Sequence, residues 1–542
     1  MIRGPHSDSP TPSALTRRDW GWLVGVLLLL VICQWLGQWR DFGHFADANV
    51  YLAGARSFAQ GEGYRMASHL GTPRIGFYPP LQSLALSPAW RWGGEFPGSI
   101  SWFNALQILY STASLTAAFV LLRRLAVPLS LTVLILVNWG LSAQWLAWMF
   151  FLCSDIGFTG VTLLLGLWWL GRDRQPTPTT WLVTGVVVAV SYLWRTAALA
   201  WMVGFGSLAV LGLRRGGWQG LVAFLLPTAT AFLGWRWMAA DGVGYGPILK
   251  NLLMWNGGLK EFPRLMGNNL WQCALGVPFW QMLASGPVML QRYLAVKGPA
   301  GASGLLAAGL AVPFWAFVVL MVRGWWAGRS RYDLAAGWVI FVYLVEVAVV
   351  PYDSEGFHRY FYPLLPFLVW WAWRGAHTLG ARGQTLARGG IYGLFAVALV
   401  ANLVLGQRAV RQLREFYPVA ELKEAADWLR THTPASARIG VDYYLPVEHL
   451  RAWLGRPLLI DPFSPGQYTT PLTRVQQGLV APDYVVTSVR AYSAYEPPAA
   501  LTSVFRSSQG GFEVYRVDPS KAGEYFTPEI RYGVPRYGGP KP

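Results

Sequence analysis

Charge is scarce in this chain. Only 13% of its 542 residues are Asp, Glu, Lys or Arg, against about 25% in soluble domains. Hydrophobic residues make up 54%, so an ordinary soluble fold is excluded. Cysteine is scarcer still. Cys33, Cys153 and Cys273 are the only three, and each lies within or beside an apolar segment. They offer no disulfide framework and no metal-binding spacing. There is no His-Glu-x-x-His, no Gly-x-x-x-x-Gly-Lys-Ser/Thr phosphate loop and no Gly-x-Gly-x-x-Gly; the Gly61-Glu62-Gly63 pair lacks the third glycine. A net charge of +17 does not point to nucleic acid. The arginines form no single basic face but punctuate the apolar runs, as topology determinants do.

What the chain has in abundance is long apolar stretches. A helix needs about 20 such residues to cross a bilayer. About eleven runs qualify, near 20–39, 101–121, 127–146, 155–171, 181–195, 196–213, 219–238, 302–322, 333–351, 360–374 and 389–406. Backbone groups find no water in hydrocarbon, so each run should be helical. Segment 265–290 could hold a further span or a helix lying on the surface. Many of the 30 Trp, among them Trp20, Trp39, Trp102, Trp145, Trp181 and Trp325, sit near run ends, where indole rings favour the membrane interface. The first run follows Arg17 and Arg18 and reads as an uncleaved signal anchor. With the N-terminus in the cytoplasm, every segment on that side carries at least two arginines: Arg17/Arg18, Arg123/Arg124, Arg172/Arg174, Arg214/Arg215, Arg323/Arg329/Arg331 and Arg374/Arg382/Arg388. This is the positive-inside pattern. It predicts a multi-pass protein of the cytoplasmic (inner) membrane, with 40–100, 147–154, 239–301, 352–359 and everything after about 407 outside.

The expected organisation is a disordered cytoplasmic stretch 1–16, a transmembrane domain 17–406 with a large first outer loop 40–100, an extracytoplasmic α/β domain 407–518 and a flexible tail 519–542. In the last domain, Pro418 opens an amphipathic helix with Val419, Leu422, Ala425, Ala426 and Leu429 on one stripe. Strand-like 438–444, helix-like 447–454, short 457–461, strand-like 483–489 and a hairpin around Gly510-Gly511 follow.

The first outer loop is the informative one, at about 60 residues where most connections are short. It begins Asp41-Phe42-Gly43-His44-Phe45-Ala46-Asp47. An acid close to a span end, followed by an amphipathic helix through Val50, Ala53, Gly54 and Phe58, holds a carboxylate at the membrane surface, where partial desolvation raises its basicity. The bland alternative is a solvated acid capping a helix that starts near Ala48. Asp155 opens the fourth span and can equally serve the helix dipole. Arg195 falls at the outer end between two spans and breaks the positive-inside trend. An arginine near membrane depth is a functional candidate, with snorkelling as its alternative. His358 and Arg359 stand in a similar place. Arg56, Arg74, Arg292 and Lys297 are weaker candidates. Glu346, near the outer end of the ninth span, suits a structural pairing with one of the arginines.

These residues fall into a known pattern. Asp47-x-x-x-Tyr51, Ala55-Arg56, Gly61-x-Gly63-Tyr64 and Tyr78-Pro79-Pro80-Leu81 resemble the first-loop signature of the C-type glycosyltransferases, the group of the protein O-mannosyltransferases and the lipid A aminoarabinose transferases. Ser154-Asp155 resembles the Ser-Glu of these families. His358-Arg359-Tyr360-Phe361-Tyr362-Pro363-Leu364-Leu365-Pro366 is similar to their Arg-Tyr-x-x-Pro-Leu-x-Pro segment. Many relatives carry Asp-Glu at the first-loop acid, and here Ala48 stands in place of the Glu. The resemblance implies transfer, with inversion, of a hexosyl or pentosyl group from a polyprenyl-phosphate donor to an extracytoplasmic glycan, lipid or protein. Asp47 matches the family's catalytic acid. Asp155 would assist, orient the acceptor or share a divalent cation with Asp47. Arg195, Arg359, His358 and Arg56 would hold the donor phosphate, and Tyr51, Tyr64, Tyr78, Pro79 and Pro80 would shape the substrate loop. A transporter or lipid flippase without covalent chemistry is the rival reading, although no internal repeat of the kind transporters show is visible. A membrane-anchored binding module is the third.

Overall fold

The computed structural model describes residues 14–38, 46–70, 72, 74–76, 78–170, 172, 176–213, 217–239, 262–284, 302–328, 330–349, 354–406, 418–442, 446–461, 482–488, 501–518 and 520. Asp41, His44, Arg292, Lys297 and the tail from 521 therefore lie outside the described residues, as does the side chain of His358.

The chain is mostly helical, and each apolar run forms a helix because its backbone has no other partner. Helix α1 (Arg17–Leu36) starts with a capping box: Thr16 Oγ1 accepts from the Asp19 amide at 3.2 Å, and the Asp19 carboxylate accepts from the Thr16 amide at 2.8 Å. A connecting segment carries α2 (Ala46–Gln60) and α3 (Leu81–Gly93). Then come α4 (Ile100–Arg124), α5 (Leu129–Gly140), α6 (Ala143–Phe150), α7 (Asp155–Trp169) and α8 (Pro178–Trp194). A one-turn 3₁₀ helix (Thr196–Ala198) leads into α9 (Leu199–Leu213) and α10 (Trp218–Met238). Helices α11 (Phe262–Ala274) and α12 (Val277–Leu283) precede α13 (Ala302–Gly328) and α14 (Arg331–Val349). A 3₁₀ segment (Ser354–Leu364) opens α15 (Leu365–His377), and α16 (Ala381–Ala401) ends in a π turn, Asn402–Gly406.

Arg17–Leu36, Ile100–Arg124, Trp218–Met238, Ala308–Gly328 and Ala381–Val404 are each long and apolar enough to cross a membrane. The third expected run, 127–146, is not one straight helix. It is the α5–α6 pair, bent by 50°, with Ser142 Oγ capping α6 through the Trp145 amide at 3.1 Å. Exposed apolar side chains such as Leu28, Ile32, Leu226, Val312 and Val397 mark a lipid-facing surface. The chain is thus a multi-pass membrane protein. Where two helices meet face to face, small residues allow it. A Cβ on Gly324 of α13 would lie 1.9 Å from the Trp371 carbonyl oxygen, and one on Gly375 of α15 would lie 1.9 Å from that of Leu320.

Side-chain partners sort the helix ends. Arg123 of α4 donates to Asp19 of α1 at 2.7 Å. Tyr332 of α14 reaches the Gly166 carbonyl of α7 at 3.0 Å, and buried Asp333 accepts from Arg374 of α15 and from Trp371 Nε1 at 2.8 Å. These contacts gather the start of α1, the ends of α4, α7 and α15 and the start of α14 at one end of the bundle. The opposite end carries the α2–α3 segment, the start of α7, the α8–α9 corner and the 3₁₀ segment before α15. Helix α2 carries the apolar face its pattern suggested, and packing buries most of the rest as well. Ala48, Val50, Tyr51, Leu52, Ala53 and Ala55 are all buried, because α3 covers one side and Tyr64, Met66 and Ile75 of the same segment cover another. Gly54 makes the second contact possible: a Cβ there would lie 2.5 Å from the Tyr64 ring.

The C-terminal region forms a five-stranded sheet of order β2-β1-β3-β5-β4, from β1 (Ile439–Asp442), β2 (Leu459–Asp461), β3 (Tyr484–Ser488), β4 (Leu501–Arg506) and β5 (Phe512–Val517). Strand β1 runs parallel to β2 and β3, and β5 is antiparallel to β3 and β4. Gly510, at φ +70°, turns the β4–β5 hairpin. Helix α17 (Val419–His432) buries the expected Leu422, Ala425, Ala426 and Leu429, and α18 (Val447–Leu454) follows β1.

Candidate functional site

Asp47 lies inside the first turn of α2, not ahead of it as a capping residue would. Its carboxylate accepts a 2.5 Å hydrogen bond from the Tyr78 hydroxyl. Tyr78 comes from the Tyr78-Pro79-Pro80 stretch, whose prolines restrict the backbone just before α3 begins. One helical turn beyond Asp47, the Tyr51 hydroxyl donates to Ser154 Oγ at 3.0 Å, and the Tyr51 and Tyr78 rings pack at 5.3 Å. Tyr64 stands one layer away: it stacks on Phe58 at 5.3 Å and donates to the Pro79 carbonyl at 3.4 Å.

Asp155 is the first residue of α7 and is 2% exposed. It accepts from Arg195 Nη1 at 2.8 Å, and the same nitrogen lies 3.0 Å from Ser154 Oγ. Arg195 is placed by the α8–α9 break, where the chain turns through an extended residue (φ −154°, ψ 132°). Arg359 enters from the 3₁₀ segment. Its Nη1 lies 3.6 Å from Asp47 Oδ2 and 3.9 Å from Asp155 Oδ2. The Tyr360 ring serves both arginines, with the Arg195 guanidinium at 4.9 Å and that of Arg359 at 5.4 Å from its centroid. Trp148 of α6 faces Arg359 at 5.1 Å. Two carboxylates and two guanidinium groups thus converge in a buried, formally neutral cluster. Such a constellation can accept a proton at an aspartate and hold an anion at the arginines.

Of the sequence-derived candidates, Asp47, Asp155, Arg195, Arg359, Tyr51 and Tyr78 come together. Arg56 has other partners: it donates to Glu95 at 2.8 Å and lies over Trp90. Arg74 is exposed, in a backbone bridge with Arg65. Glu346 accepts from the Ala200 amide at 3.0 Å, anchoring the first turn of α9 next to Arg195. Trp148 was not legible as a site residue, because nothing in its local sequence separates it from 29 other tryptophans.

Among the described residues the donor set does not suit a resident metal ion. The position between the two carboxylates is taken by the Arg359 guanidinium, and Asp155 is already paired with Arg195. Among the described residues no group of three or more His, Cys, Asp or Glu side chains comes together.

No protein-family model matches this sequence, and no curated protein matches it. Solved structures match along nearly its whole length. ArnT from Cupriavidus metallidurans bound to undecaprenyl phosphate is 14% identical, with a TM-score of 0.53 over 96% of this chain and 99% of that one. The same protein in the apo state is 14% identical and gives 0.50 over 97% and 100%. The Archaeoglobus fulgidus oligosaccharyltransferase in complex with Zn and sulfate is 13% identical and gives 0.50 over 92% and 73%. Identity this low shows the fold alone: the chain shares the architecture of ArnT and of the archaeal oligosaccharyltransferase.

Proposed function

We propose that this chain transfers a sugar from a polyprenyl-phosphate donor to an acceptor outside the cytoplasm, with Asp47 as general base. The observation that carries the reading is the convergence of Asp47, Asp155, Arg195 and Arg359, from four separate segments, at one end of the bundle. All eleven helical runs are read as spans of the cytoplasmic membrane. The other end of the bundle, which holds Arg123 and Arg374, is read as cytoplasmic on the positive-inside pattern. The C-terminal sheet then lies outside.

A donor with a polyprenyl tail stays in the bilayer, so donor and acceptor meet at the membrane surface. The acceptor hydroxyl oxygen attacks the anomeric carbon while its proton passes to the Asp47 carboxylate. The bond from that carbon to the phosphate oxygen breaks, and the electron pair leaves with the polyprenyl phosphate. Attack from the face opposite the leaving group inverts the configuration. Arg359 and Arg195 take the charge that develops on the phosphate, where fixed donors are most effective. Tyr78 orients Asp47 and Asp155 orients Arg195. ArnT supports the donor class, since its structure is of the protein bound to undecaprenyl phosphate.

The test is turnover of purified Asp47→Asn with a matched lipid-linked donor. General base catalysis contributes about 10²–10⁴-fold, and a loss in that range is expected. Full turnover in this variant would remove Asp47 as the base.

A further inference from the structure

The C-terminal sheet is joined to the α2–α3 segment by a chain of polar contacts that the proposed reaction does not use. Glu95 is the link. Its Oε1 accepts from Arg56 of α2 at 2.8 Å, and its Oε2 accepts from Arg451 of α18 at 2.5 Å. Arg451 Nε also donates to Glu448 at 3.0 Å, and buried Glu448 accepts from the Ser68 hydroxyl. The backbone joins in: the Leu458 amide donates to the Ser68 carbonyl at 3.0 Å and the Leu70 amide to the Leu458 carbonyl at 2.8 Å. His449 stands edge-on to Phe96 at 4.9 Å, and Ala452 packs against the cluster that contains Tyr51, Leu52 and Ala55 of α2.

Arg56 and Arg451 are like charges close enough to affect each other. Burial, and then the charge of Arg451, hold the Arg56 guanidinium below the ordinary arginine pKa. The Glu95 carboxylate between them makes the approach tolerable. Arg56 and Asp47 sit on one continuous helix, nine residues or about 14 Å apart. A tilt of α2 by roughly 4° about its Arg56 end would move Asp47 by about 1 Å, and a misplacement of that size can cost about 10²-fold in rate.

We infer that Glu95 and Arg451 are positioning residues: through them the C-terminal sheet sets the tilt of α2 and with it the place of Asp47. The inference rests on Asp47 being the base. It gives the C-terminal sheet a role in catalysis without contact with substrate.

The experiment uses the full chain in lipid nanodiscs, with Glu95→Gln and, separately, Arg451→Gln. In both, kcat is expected to fall about tenfold while KM for the lipid-linked donor stays within about twofold, because the arginines facing the phosphate are untouched. Amide hydrogen exchange over residues 46–60 should quicken. Combined with Tyr78→Phe, which loosens the other end of the same helix, the losses should fall short of multiplying. Unchanged kcat with unchanged exchange, or losses that multiply fully, would overturn the inference. The exchange measurement separates it from the reading it rests on. An active Asp47→Asn removes the base, while quickened exchange in Glu95→Gln still reports that the sheet holds α2.

Discussion

The Arg195–Asp155 pair gives a sharp test of how the site is built. Its side chains are 9% and 2% exposed. Two unit charges about 4 Å apart attract by about 4 kcal/mol at an effective dielectric constant of 20. Removing one partner of a buried pair costs about 3–5 kcal/mol, since the other charge is left uncompensated. Here Arg359 offsets part of that loss for Asp155, because it already lies 3.9 Å away. Arg195→Gln leaves two carboxylates facing one guanidinium, and Asp155→Asn leaves the reverse. Arg195→Gln should therefore lose about 3 kcal/mol, and Asp155→Asn, which leaves Arg195 facing the like charge of Arg359, about 5 kcal/mol. The double variant leaves Asp47 with Arg359 and restores neutrality, so it should recover most of the loss. Thermal unfolding in one fixed lipid or detergent, followed by fluorescence of the 30 tryptophans, reads the order directly. Turnover should not follow stability: the double variant is expected to be folded and severely impaired. A double variant that melts at or below the worse single one would refute charge balance as the organising force. One with normal turnover would remove both residues from the proposed phosphate site.

Two further outcomes follow from packing and from the donor set. Gly375→Ala places a Cβ against the Leu320 carbonyl oxygen, so α13 and α15 must part. A loss of at least about 1–3 kcal/mol is expected, seen as a lower melting temperature, and an unchanged one would mean that the crossing is looser than described. Turnover should be unaffected by EDTA, because Arg359 occupies the place a bridging cation would need. Loss of activity on chelation, restored by a divalent ion, would overturn that.

The sequence by itself determined the class of the molecule. Apolar runs of bilayer length, arginines spaced between them and a polar C-terminal stretch are local properties, and local properties decide where helices and strands form. For the same reason the stripe of α17 and the glycine turn at Gly510 were legible. Asp47, Asp155, Arg195 and Arg359 could be singled out one by one as polar groups at run ends, although each had an ordinary structural alternative. Tertiary packing alone decided that they meet. Asp47 and Arg359 are over three hundred residues apart, and their contact depends on the order and register in which α2, α7, α8 and the 3₁₀ segment pack. Packing also decided what no spacing announces: the bend between α5 and α6, the burial of α2, the choice of Trp148 over its many equivalents and the capture of Arg56 by Glu95, which also holds Arg451. A side chain's partner is set by whatever the fold brings within about 3–4 Å, and periodicity along the chain carries no record of that distance.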